Sequence, residues 1–120
     1  MMVAAALRLT EGIEGLAVCF DTNHLLTDSA ERFIAGIGSR IVTLHVSDYD
    51  RIDERHWLPG RGVNDWNAII GGLERVGYSG PWMFEVSPGN AENPVKPADL
   101  RACWDAMLGS FRSSGRSTER

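Results

Sequence analysis

Lysine is nearly absent from this chain of 120 residues: Lys96 stands alone against eleven arginines, and nothing functional follows from that ratio. Cysteine is scarce as well. Cys19 and Cys103 lie far apart, each inside an apolar run. That excludes a disulfide-stapled scaffold and predicts two buried free thiols in a reducing compartment. A basic excess is missing, with twelve basic residues against sixteen acidic and a formal net charge of −4. Nucleic acid held through phosphate contacts is therefore disfavoured as a partner. No apolar run approaches the ~20 residues of a membrane span, so no membrane partner is expected. The opening Met-Met-Val-Ala-Ala-Ala-Leu-Arg lacks a basic leader, which predicts no signal peptide and a cytoplasmic protein. At 43% hydrophobic and 23% charged, the composition excludes a disordered or collagen-like chain. The length leaves room for one domain.

Three short apolar runs read as buried parallel strands: Leu16-Ala-Val-Cys-Phe20, Ile41-Val-Thr-Leu-His-Val46 and Trp82-Met-Phe-Glu-Val86. Each is continuous rather than alternating and carries β-branched or aromatic residues. A segment of helical period follows each one. Over 27–37, Ala30, Phe33, Ile34 and Ile37 form a stripe, and Asp28 with Glu31 has capping-box spacing. Over 65–76, the stripe is Trp66, Ile69, Ile70, Leu73 and Val76. Gly71 and Gly72 weaken that helix by about 1 kcal/mol each relative to Ala and would permit a close approach to a strand. The last helix opens at Pro97, with Leu100, Cys103, Trp104, Met107, Leu108 and Phe111 on its apolar face. Residues 3–11 read as a short leading helix. The order α-β-α-β-α-β-α predicts an α/β fold of parallel strands, with a single domain over 1–111 and a flexible tail over 112–120.

Each strand ends on a side chain that can bind a metal: Asp21 after Phe20, His45 after Leu44, Glu85 after Phe84. In parallel α/β folds the carboxyl ends of the strands form the ligand face. One Asp, one His and one Glu suit a divalent cation such as Mn²⁺, Zn²⁺, Co²⁺ or Mg²⁺. Taken singly, each residue reads equally well as a cap, a salt bridge or a satisfied core group. Three such groups at three strand ends point to a shared site, because charge embedded in apolar strands is costly unless paired or metal-bound. His24 follows Asp21 by three residues. A long loop over 48–62 carries Asp48, Asp50, Arg51, Asp53, Glu54, Arg55, His56 and Trp57, then turns at Pro59-Gly60-Arg61-Gly62. Loops of this length in compact domains are functional or disordered. Most of these charges read as a solvated loop face and His56 as a site residue, while Gly60 and Gly62 need only be turn glycines.

The set Asp21-Thr-Asn-His24, His45-Val-Ser-Asp48, Glu54-Arg-His56-Trp-Leu-Pro-Gly-Arg-Gly62, Trp66, Gly77-Tyr-Ser-Gly80 and Glu85 resembles the xylose-isomerase-like TIM barrels. That superfamily includes sugar-phosphate isomerases/epimerases, ketose 3-epimerases, inosose dehydratases and AP endonucleases of the endonuclease IV type. The resemblance runs from about residue 12 to residue 108 and implies the last three βα units, strands six to eight, of a (β/α)8 barrel. It implies metal ligation by Asp21, His45 and Glu85, and substrate binding by His24 and His56, with Trp57 beside them. It further implies proton transfer by Glu85 and His24 next to the carbonyl of a ketose, the substrate being a sugar or sugar phosphate. Glu54 matches an acidic ligand of the endonucleases' extra metal, so a metal-dependent phosphodiesterase is the alternative activity. A closed barrel takes ~250 residues, and the superfamily's second strand-terminal glutamate has no counterpart upstream of Asp21. The expectation is a fragment with weak or no activity alone. Its exposed strand edges would call for self-association or a missing N-terminal half-barrel. A non-catalytic half-barrel that recruits another chain is the reading from a different class.

Overall fold

The fold is that of a computed structural model, which describes residues 2–25 and 29–113. Four α-helices alternate with three strands: α1 (Met2–Thr10), β1 (Val18–Asp21), α2 (Ala30–Ile37), β2 (Ile41–Val46), α3 (Trp66–Arg75), β3 (Trp82–Phe84) and α4 (Pro97–Ser113). The strands are parallel in the order β1-β2-β3. This is the expected α/β pattern of a partial barrel.

Residue chemistry explains the element ends. The Ser29 hydroxyl accepts the Arg32 N–H at the start of α2, and Gly38 ends that helix at φ 64°. The cap is thus Ser29 and not the expected Asp28–Glu31 box; Thr27 and Asp28 lie outside the described residues. Asp65 caps α3 by accepting the Ala68 N–H. β1 begins two residues later than the apolar run suggested, and β3 stops at Phe84. Arg112 and Ser113 continue α4. The rest of the expected tail, 114–120, and the side chains of Leu108 and Phe111 lie outside the described set.

One face of the sheet packs on the helices. Phe20, Ile41, Leu44 and Val46 join Phe33, Ile34 and Ile37 of α2, Ile69, Ile70 and Leu73 of α3, and Met107 of α4 in one buried cluster. Gly72 is buried and faces Ile34. It thus faces a neighbouring helix rather than a strand, and a Cβ there would meet Ile34 at ordinary contact distance. A register shift between Val18 and Cys19 leaves Val42 without a rung partner, since Val18 pairs with Ile41 and Cys19 with Thr43. The extra residue lets both Ile41 and Leu44 point into the core.

The other face is open, and here the expectation of strands buried on both sides is corrected. Cys19, Asp21, Thr43, His45 and Met83 share that face by strand alternation and register. Met83 is 50% exposed. Cys19 is exposed and Cys103 half-buried, so the two thiols are free but not both buried. Three strands cannot close on themselves, and among the described residues no second layer covers this side. No described helix is long and apolar enough to cross a membrane.

Candidate functional site

Asp21 and His45 are rung partners at the carboxyl ends of β1 and β2. Met83 pairs with His45, and two residues on, just past β3, the Glu85 N–H donates to the Val46 carbonyl at 3.0 Å. Alternation therefore puts Asp21, His45 and Glu85 on the same open face. Their side chains converge. His45 Nδ1 lies 3.6 Å from Asp21 Oδ2 and 3.5 Å from Glu85 Oε1. One donor atom from each of the three falls within 4.8 Å of the other two. Two ligands each about 2.1 Å from one cation stand roughly 3–3.5 Å apart in tetrahedral or octahedral coordination. The two His45 separations come close to that range, and the mixed nitrogen/oxygen donors suit a divalent ion.

His24 sits beside this trio. Its Nδ1 is 2.8 Å from Asp21 Oδ1 and its Nε2 is 3.2 Å from Glu54 Oε1. Burial opposes the charged imidazolium, but the Asp21 carboxylate, with Glu54 and Glu85 beyond it, favours it more, so the His24 pKa is raised. His56 stacks edge-on to His24 at a ring separation of 5.7 Å. Its Nδ1 lies 3.3 Å from the Glu85 carbonyl oxygen and 4.0 Å from Glu85 Oε1. The fold thus gathers Asp21, His24, His45, Glu54, His56 and Glu85. Trp57 lies under the Arg55 guanidinium at 5.9 Å and lines a cavity together with His56.

His56 adopts φ 54°, a conformation that costs a non-glycine residue about 1 kcal/mol or more. Two hydrogen bonds hold it there. Its N–H donates to Asn23 Oδ1 at 3.0 Å, and its carbonyl accepts the Ser87 N–H at 2.8 Å. The segments leaving β1, β2 and β3 are thereby tied together at one residue.

Sequence reasoning missed what supports this loop. Asp48 is fully buried. Its carboxylate accepts the N–H groups of Tyr49, Gly60 and Asn64 and the indole N–H of Trp66. Its backbone forms an antiparallel bridge with Trp57. A Cβ at Gly62 would stand 2.3 Å from the Tyr49 carbonyl oxygen and 2.6 Å from Asp48 Oδ1, so Gly62 is there for close approach rather than for turning. Thr22 and Asn64 complete the support: the Thr22 hydroxyl donates to the Ser47 carbonyl at 2.7 Å, and the Asn64 amide donates to the Thr22 carbonyl at 3.0 Å.

A family model for the xylose isomerase-like TIM barrel matches residues 3–105. The chain belongs to the xylose isomerase-like TIM barrel family. Within it, the chain is 33% identical over 81 residues to the L-ribulose-5-phosphate 3-epimerase of Salmonella paratyphi C, covering 68% of this chain and 28% of that protein. An uncharacterized protein of Sinorhizobium fredii is 29% identical over 73 residues, 59% of this chain and 24% of that one. The crystal structure of a D-tagatose 3-epimerase-like protein superposes with a TM-score of 0.75 at 18% identity, over 95% of this chain and 43% of that chain. The D-psicose 3-epimerase of Clostridium cellulolyticum H10 superposes with a TM-score of 0.58 at 25% identity, over 81% of this chain and 37% of that chain. The chain therefore spans about a quarter of these curated relatives and under half of these solved structures.

Proposed function

We propose that this xylose isomerase-like chain carries metal- and substrate-binding strands of a sugar or sugar-phosphate isomerase/epimerase. The reaction is proton transfer at a carbon beside a ketose carbonyl. The observation that carries this reading is the convergence of Asp21, His45 and Glu85 on one point of the open sheet face. The 33% identity to an L-ribulose-5-phosphate 3-epimerase supports the substrate class.

Asp21, His45 and Glu85 are the residues that would hold a divalent cation, which would polarise the ketose carbonyl and the neighbouring hydroxyl and so acidify the C–H of the carbon beside the carbonyl. Glu85, just past the third strand, is the carboxylate assigned to take the proton from that carbon. His24 contacts Asp21 through one ring nitrogen and Glu54 through the other, and it is assigned the return of a proton. His56, fixed by Asn23 and Ser87, orients the sugar beside Glu85. Turnover by the isolated chain is expected to be weak or nil, so binding is the direct test.

Calorimetric titration of the folded chain with Mn²⁺ is expected to give one saturable site. His45→Ala, checked for retained fold by circular dichroism, should weaken that site at least about tenfold. Negligible heats from both folded proteins would overturn the reading.

A further inference from the structure

We propose that Asn23 is a positioning residue for the sugar: its amide oxygen holds His56 in the left-handed conformation that turns the imidazole toward Glu85 and His24, and its side chain takes no part in gripping the cation. This rests on the proposed function, in which His56 orients the sugar beside Glu85, and adds the residue through which that orientation is set.

His56 has no intrinsic reason to stand at φ 54°. A residue with a Cβ enters that region at a cost and stays there only where its surroundings fix it. The fixing contact is remote in sequence. Asn23, 33 residues back, accepts the His56 N–H on Oδ1 at 3.0 Å. The His56 carbonyl accepts the Ser87 N–H at 2.8 Å. The first bond holds the peptide plane before the His56 Cα and the second holds the plane after it. Losing the first frees φ.

Asn23 is wholly buried, yet its Nδ2 has no hydrogen-bond partner among the described residues. A buried donor without a partner is unfavourable, so an asparagine here is not explained by its own packing. What its side chain supplies is the oxygen that takes the His56 N–H. The backbone of Asn23 is fixed independently: its N–H donates to Asp21 Oδ1 at 2.8 Å, an Asx turn at the exit of β1. The amide is thus anchored on a residue of the cation trio. Asp21 in turn is held by a main-chain donor that any residue except proline would supply. A change of side chain at 23 therefore reaches His56 and spares Asp21.

The ring held in this way stands at the reacting end of the site. His56 Nδ1 lies 3.3 Å from the Glu85 carbonyl oxygen, and the ring meets that of His24 edge-on at 5.7 Å. In an extended or right-handed conformation the Cβ of residue 56 would leave the backbone in another direction, and the imidazole would lose both contacts. The sugar would then lose the group that orients it, with the cation donors unmoved.

The test compares the full chain with Asn23→Ala by metal-free ¹⁵N NMR, Mn²⁺ calorimetry and titration with L-ribulose 5-phosphate. A residue of positive φ brings its amide hydrogen close to its own Hα and gives a strong intraresidue NOE. Wild-type His56 is expected to show that signal and Asn23→Ala to lose it. Mn²⁺ affinity should stay within about twofold, while sugar-phosphate affinity falls at least about tenfold. Asn23→Asp, which keeps an acceptor oxygen in the same place, should keep the NOE. Should Asn23→Ala fail to fold, Asn23→Ser, too short to reach His56, carries the same expectations. Persistence of the NOE in the folded Ala or Ser variant overturns the proposal. A parallel loss of Mn²⁺ binding overturns it as well, since that marks a residue that merely supports the structure. Absence of sugar-phosphate binding by the wild-type chain, with the NOE lost in Asn23→Ala and Mn²⁺ still bound, would sink the sugar reading and support the hold of Asn23 on His56.

Discussion

The Asp48 carboxylate accepts the indole N–H of Trp66 at 2.9 Å, so the residue just past β2 is fastened to the first turn of α3 across the whole intervening loop. The same carboxylate holds Gly60 and Asn64. His56 and Trp57 are therefore carried on a loop closed at both ends by one buried anion.

Removing that anion strands four N–H donors. Asp48→Ala is expected to destabilise the fold by roughly 3 kcal/mol or more, and Gly62→Ala by about 1–3 kcal/mol through the clash with the Tyr49 carbonyl. Urea denaturation followed by tryptophan fluorescence measures both. Wild-type stability in Asp48→Ala would show that the loop is held by other means.

Gly72 points the other way. A Cβ there meets Ile34 at 3.5 Å, an ordinary contact distance. Gly72→Ala should therefore gain up to about 1 kcal/mol of helix propensity, seen as a higher Tm. A lower Tm would mean that α2 and α3 cannot part by even a few tenths of an ångström.

Asp50 sets the acid response of the loop. The Asp53 N–H, then the Ile52 N–H and the Arg55 guanidinium, stabilise its charged form against the cost of desolvation, and its pKa falls to about 2. A pKa lowered on folding gives stability that is complete above the ordinary value near 3.8 and is lost as pH falls through about 2. A carboxyl ¹³C titration should find Asp50 ionised at pH 3, and Asp50→Asn should remove its share of the acid sensitivity. A midpoint near 4 would show that the Asp53 and Ile52 N–H bonds to this carboxylate, with the Arg55 contact, are not formed in solution.

Much of this architecture was legible from residue pattern because the strand ends break a rule. Asp21, His45 and Glu85 each interrupt or close an apolar run where an unpaired charge is expensive, which marks all three in the sequence. The supporting residues carry no such mark. Asp48 sits among Asp50, Asp53 and Glu54, and one sequence cannot distinguish the carboxylate that is buried from those left in water. Asn23 and Thr22 look like ordinary turn residues, and their value comes from the loops that the fold brings to them. The open sheet face was hidden for a related reason. Continuous apolar strands such as Ile41–Val46 are written for burial on both sides, and Met83 and Cys19 keep that character on a face that these residues leave uncovered.

The most direct test of the central claim is paramagnetic broadening by substoichiometric Mn²⁺ in the ¹⁵N spectrum of the folded chain. Signals of Asp21, His45 and Glu85 and their immediate neighbours should vanish first and together, and Asp21→Asn should abolish the effect. Broadening spread evenly over exposed acidic residues, or centred on Asp50 and Asp53, would contradict a shared cation site at the three strand ends.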